Sequence, residues 1–125
     1  MFNNERDIKK SPEIQTLIGA DCKIIGNLSG EGIIKIDGTI EGDTDWIDDI
    51  VIGESSNYSG NISCKNATVE GVVTGDITCE NNLLIESSGK VIGNVTVKNL
   101  EIVKGGFLDG KCTMIVEMPK NDLME

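Results

Sequence analysis

Between Ile24 and Val116, apolar residues and glycines alternate with polar residues. Even positions carry Ile24, Gly26, Leu28, Gly30, Gly32, Ile34, Ile36, Gly38, Ile40, Gly42, Thr44 and Trp46, and after Asp48 they resume at Ile50 and Ile52. Glu54 and Ser56 interrupt the run, then Tyr58, Gly60, Ile62 and Cys64 follow. Near Asn66 the phase slips to odd positions, which hold it from Ala67 through Val97; near Asn99 it returns to even, at Leu100, Ile102, Gly106, Leu108, Gly110 and Cys112. A period of two is strand geometry, with one face buried and one solvated. Twelve of the fifteen glycines keep the apolar phase; Gly19, Gly53 and Gly105 do not. Glycine weakens an ordinary strand, so one that recurs in phase marks a bend or a close backbone approach. The expected approach is toward the axis of a coil.

The pattern repeats. An apolar-x-Gly-x unit occurs at Ile24, Ile40, Tyr58, Val73, Val91 and Leu108, and its glycines are 16, 18, 15, 18 and 17 residues apart. A second column, Ile18, Ile36, Ile52, Val69, Ile85 and Ile102, keeps nearly the same spacing. One such unit cannot bury its apolar face alone, whereas stacked units share a continuous core. These spacings predict an all-β fold, a parallel β-helix (β-solenoid) of about six rungs over residues 17–116. Each rung has three short sides and three bends. At a strand spacing of about 4.8 Å the rod is roughly 30 Å long. Residues 1–16 and 117–125 are mostly polar and are expected to be flexible tails.

Composition narrows the function. A single chain of 125 residues with 3% aromatics suits one modest core. The net charge of −10, from 21 acidic and 11 basic residues, disfavours nucleic acid, which needs a basic face. There is no histidine, and Cys22, Cys64, Cys79 and Cys112 form no CxxC pair, so neither a zinc site nor a Ser-His-Asp triad is expected. The readings are no catalytic residues, no metal and no cofactor. Met1-Phe2 runs directly into Asn-Asn-Glu-Arg-Asp, with no secretory apolar region, and no run of about 18 apolar residues exists. These features predict a cytoplasmic protein with reduced thiols.

Several groups of residues are candidates for function. Most carboxylates fall on the outward phase and read as a solvated face. The residues after the repeat glycines, Asn27, Asp43, Asn61, Asp76, Asn94 and Lys111, form a column suited to bends. Cys64 and Cys79 each lie four residues after a repeat glycine, so they should stack inside on adjacent rungs as free thiols, with a disulfide geometrically conceivable. Glu54-Ser55-Ser56 and Glu86-Ser87-Ser88-Gly89 read as bends in longer rungs. Leu17 and Ile18 open the coil, and Phe107 and Leu108 sit on its last full rung; these four are the candidate polymerisation interface. Met1 and Phe2, with Arg6, Lys9 and Lys10 nearby, are a candidate membrane contact.

The stretch from Leu17 to Gly42, together with Val51-Ile-Gly-Glu-Ser55, Ala67-Thr-Val-Glu-Gly71, Ser87-Ser-Gly-Lys-Val-Ile-Gly-Asn94 and Gly106-Phe-Leu-Asp-Gly-Lys-Cys112, resembles the bactofilins, a bacterial polymer-forming cytoskeletal family. The resemblance spans about residues 17–116. It implies a right-handed β-helix that polymerises end to end, without nucleotide, into non-polar filaments. These would scaffold envelope enzymes and serve cell shape, with itself as first partner. It also implies that Phe107 helps polymerisation and that the N-terminus meets the inner face of the membrane. Here Met1-Phe2 matches that pattern, and Asn3-Asn4-Glu5 stands where the family has basic residues.

Two other readings compete. A six-residue spacing, Leu28, Ile34, Ile40, Trp46, Ile52 and Tyr58, also fits a hexapeptide-repeat acyltransferase of opposite hand. The missing histidine disfavours it, since such enzymes use one as general base. The other is a non-polymerising binding module that uses the faces of the rod.

Overall fold

A computed structural model describes residues 14–115. The first rung holds β1 (Thr16–Ile18), β2 (Lys23–Ile25) and β3 (Leu28–Gly30), and the second β4 (Ile34–Ile36), β5 (Thr39–Glu41) and β6 (Thr44–Trp46). In the third, β7 (Asp49–Ile52) and β8 (Asn57–Ser59) are followed by β9 (Ile62–Val69), which turns a corner into the fourth. There β10 (Val72–Thr74) precedes β11 (Ile77–Ile85), which likewise runs into the fifth rung with β12 (Lys90–Ile92) and β13 (Val95–Val97). The sixth rung is β14 (Asn99–Ile102), β15 (Phe107–Asp109) and β16 (Cys112–Met114).

Every strand pairing is parallel, and three faces result. The first face aligns Ile18, Ile36, Ile52, Val69, Ile85 and Ile102. The second aligns Ile24, Ile40, Tyr58, Val73, Val91 and Leu108. Both columns read from the sequence are therefore real. The third face aligns Leu28, Thr44, Ile62, Ile77, Val95 and Cys112. The coil begins at Thr16, and the Gln15 N–H already donates to Ile33 O at 2.8 Å, slightly before the expected start at 17.

The phase slips have a simple cause, the length of the corner between the third and first faces. Trp46 and Ile50 both point inward with three residues between them, as do Cys79 and Leu83. Cys64 and Ala67 have only Lys65 and Asn66 between them, and Val97 and Leu100 only Lys98 and Asn99. A corner one residue shorter exchanges odd and even from there on.

The corners between the first and second faces vary too. Longer ones close on a backbone hydrogen bond, Ser56 N–H to Gly53 O at 3.0 Å and Gly89 N–H to Glu86 O at 2.8 Å. Their serines then tie them to the shorter corner one rung below. Ser55 Oγ donates to Asp37 O, Ser56 Oγ to Gly38 O and Ser88 Oγ to Glu70 O, each at 2.8 Å. Ser56 thus does not interrupt the inner pattern, contrary to expectation. It is buried, and its hydroxyl is satisfied by that carbonyl. Gly53, out of phase, is buried as well.

The repeat glycines require a second correction. Gly42, Gly60, Gly75 and Gly93 are half-buried, not interior. What crowds each is the carbonyl of the repeat glycine one rung earlier, so the constraint runs along the axis of the coil.

Candidate functional site: the side ladders and the two ends

The Asn/Asp column stands at the corner between the second and third faces. The N–H of Asp43 donates to Asn27 Oδ1 at 3.1 Å. Asn61 N–H donates to Asp43 Oδ1, Asp76 N–H to Asn61 Oδ1, Asn94 N–H to Asp76 Oδ1 and Lys111 N–H to Asn94 Oδ1, all at 3.0 Å. Each side chain satisfies a corner N–H of the next rung that the sheet ladders leave over. The column ends at Lys111, whose side chain has no acceptor to offer a further rung. A shorter ladder runs along the next corner. Asn66 Nδ2 donates to Asp49 Oδ1, Asn82 N–H to Asn66 Oδ1 and Asn99 Nδ2 to Asn82 Oδ1. The expected structural role of the first column is its observed role. The second ladder falls outside the apolar pattern, and its only trace in the sequence is that Asn66, Asn82 and Asn99 recur at rung spacing.

Beside the first ladder, a depression of about 580 Å³ on the third face is lined by Asp43, Asp45, Asp76, Ser29, Ser63 and Thr78, among others. Among the described residues no group of three or more His, Cys, Asp or Glu is placed to hold a metal ion, and no helix is long and apolar enough to cross a membrane.

The four candidate interface residues lie at the two ends, separated by the length of the rod. Ile18 points inward and is buried, while Leu17 points out from the first face and is 62% exposed. At the other end Leu108 packs against the core but stays half-buried. Phe107 points out from the second face, 46% exposed, with Lys90 Nζ 5.3 Å from its ring centroid. Met1 and Phe2 lie outside the described residues, as do the rest of the expected first tail up to residue 13 and the whole of the expected tail 117–125.

The end rungs carry more apolar surface than these four residues. Ile24 and Leu28 at the start, and Leu100, Leu108 and Cys112 at the finish, pack against the core yet are only partly buried. Ile102 and Met114 are exposed, although Ile102 continues the column in which Ile36, Ile52 and Ile85 are completely enclosed. At the first rung Gly30 leaves a gap that Trp46 fills from the second, with its Nε1–H donating to Gly32 O at 2.8 Å. The parity of positions in the sequence finds the inner face but cannot say that the first and last rungs lack a neighbouring rung among the described residues.

The class defined by these features is a short parallel β-solenoid with an apolar core and side-chain ladders along two of its corners. A model of the family described as "Bactofilin: Polymer-forming cytoskeletal" matches residues 16–113, and the chain belongs to the bactofilin family. Its fold is similar to that of the Thermus thermophilus bactofilin seen by cryo-EM in double helical filaments, with a TM-score of 0.75 and 20% identity, over 80% of this chain and 99% of that one. It is also similar to the cytoskeletal bactofilin BacA determined by solid-state NMR, with a TM-score of 0.69 and 29% identity, over 81% of this chain and 96% of the other. Comparison with curated proteins returned no match.

Proposed function

We propose that this chain is a filament subunit. It assembles end to end without nucleotide, and the non-polar filament scaffolds cell-envelope or cell-shape proteins in the cytoplasm. The observation that carries this reading is the partly bared core at both end rungs, Ile24 and Leu28 at one and Leu100, Leu108 and Cys112 at the other. An end rung offers an unpaired strand edge and an apolar face together, the template on which a further rung stacks. Family membership supports the same reading. Nothing in stacking apolar rungs calls for a nucleotide, because the driving force is burial. Contact of Met1 and Phe2 with the inner face of the membrane belongs to the proposal on the strength of the sequence alone, as does recruitment of envelope enzymes.

Sedimentation velocity and negative-stain microscopy of the purified chain without nucleotide test the reading. Filaments are expected, and Phe107→Arg should shift the protein to small species. A wild-type chain that sediments as a monomer across concentration and salt sinks the proposal. Unchanged filaments in Phe107→Arg remove that residue from the interface but leave the filament.

A further inference from the structure

Cys64 and Cys79 are register partners on neighbouring rungs of the third face. Their Sγ atoms are 3.7 Å apart, and both thiols are free and buried. In-register parallel strands hold Cα atoms about 4.8 Å apart, inside the window of about 4.4–6.8 Å that a disulfide spans. Closing the sulfurs to about 2.0 Å therefore asks mainly for side-chain rotation. The pair also stands beside a corner. Just beyond it the register shifts between Cys79 and Asn82, so β11 carries an extra residue that β9 lacks and the ladder there is interrupted. A locally irregular corner is where a coil opens most readily, and it gives a small reagent a way to sulfurs that the static fold encloses. The other two cysteines are placed differently. Cys22 is exposed at a corner of the first rung, and Cys112 lies in the last rung with Met114 Sδ 3.6 Å from its sulfur.

We propose that Cys64 and Cys79 are a redox-modifiable dithiol, which a two-electron oxidant converts to an intrachain disulfide stapling the third rung to the fourth. Each thiol gives up its proton, one S–S bond forms, and two electrons pass to the oxidant. A peroxide would be reduced to water, or a small disulfide to two thiols. The Cys79 sulfur and burial both push the Cys64 thiol well above the ordinary cysteine value. Thiolate at Cys64 is then scarce, and the burial of both residues keeps oxidation slow. The product is equally shielded from reducing thiols. The pair thus suits a lasting mark left by sustained oxidation rather than a fast sensor.

The test uses the full chain carrying Cys22→Ser and Cys112→Ser, incubated with the two-electron oxidant diamide. The expected result is that thiols titrated in denaturant fall from two to none and the intact chain loses the mass of two hydrogen atoms. Peptide mapping should link Cys64 to Cys79, and dithiothreitol in denaturant should reverse it. Two thiols that still titrate after prolonged oxidation overturn the proposal, as does a link between two chains. Should the double variant fold poorly, the wild-type chain answers the same question, with Cys22 and Cys112 alkylated before oxidation and the peptides then mapped in the same way.

Discussion

A Cβ on Gly60 would lie 2.0 Å from the carbonyl oxygen of Gly42. The same relation holds up the column, from Gly42 on Gly26 to Gly110 on Gly93, and the opposing group is backbone each time. These glycines also have positive φ, 141° at Gly60, which side chains rarely adopt. Gly60→Ala therefore meets two obstacles and should cost about 2–4 kcal/mol. Gly26 has φ of 136° but nothing within 4 Å of its missing Cβ, so Gly26→Ala should cost only about 1 kcal/mol. Urea unfolding in a Phe107→Arg background, proposed above to keep assembly from contributing to stability, measures the difference. Equal costs at the two sites would mean that axial crowding contributes nothing.

The Asn/Asp ladder calls for a smaller number. Asp43→Ala leaves the Asn61 N–H without its acceptor, but that corner is exposed and water can replace the bond. A loss of about 0.5–1 kcal/mol is expected, and Asp43→Asn, which keeps the accepting oxygen, should be close to neutral. Adding Asn94→Ala, three rungs away, should be additive with Asp43→Ala. Strong coupling in that double variant would show the ladder acting as one cooperative unit.

Much of this fold was legible because each rung repeats the same physics. Ile36 and Ile52 announce a shared column by period and spacing, and the distances of Cys64 and Cys79 from their repeat glycines pair them. Where the sequence misleads, the missing information lies in three dimensions. Ser56 looks like a polar break, and only the carbonyl of Gly38 one rung below turns it into a core residue. The glycine phase suggests crowding toward the axis, since strand period reports a face and not the direction of a neighbouring carbonyl. At the ends, Ile102 has the same pattern as Ile52 but lacks a rung above it among the described residues. Phe107 stands out as an aromatic outside the apolar phase, which fits its outward position but does not reveal the Lys90 ammonium beside its ring.

Alkaline pH should weaken the coil through Tyr58. Its hydroxyl lies in the core, donating toward Gly42 O at 2.9 Å and Asn61 O at 3.2 Å, and 2.6 Å from Thr44 Oγ1. Burial pushes its pKa above the ordinary 10.0 and the Asp43 charge adds to this, against a lowering by the Thr44 hydrogen bond. The unfolded chain then releases the phenol proton first, so above about pH 10 the folded state holds more protons and stability falls as pH rises. The contribution is fully present below the ordinary value. Cys64 acts in the same direction from its ordinary 9.0. Tyr58→Phe should cost about 1–2 kcal/mol at neutral pH, because it takes a hydrogen-bond partner from the buried Thr44 hydroxyl and a donor from two partly exposed carbonyls. It should also flatten the alkaline decline. Thermal melts of both proteins across that range decide the matter, and parallel curves would clear Tyr58 of any part in it.

The ladder termini bear on filament polarity. In a head-to-tail stack that continued the coil, Asn27 of one subunit would take the place above Lys111 of the next, where every other step offers an amide or carboxylate oxygen. Gly26 would likewise sit over the carbonyl of Gly110, the relation that excludes a Cβ at Gly42 and Gly60. Pairing of like ends imposes neither condition. Under the non-polar arrangement proposed above, Gly26→Ala should still form filaments. Lys111→Asn, which would extend the ladder for a head-to-tail neighbour, should leave the critical concentration within about two-fold, less than the gain of one hydrogen bond worth about 1 kcal/mol. Pelleting assays over a concentration series supply both numbers. A Gly26→Ala chain that melts nearly as the wild-type subunit does but no longer pellets, together with a Lys111→Asn chain that pellets at several-fold lower concentration, would instead establish stacking in one direction and a polar filament.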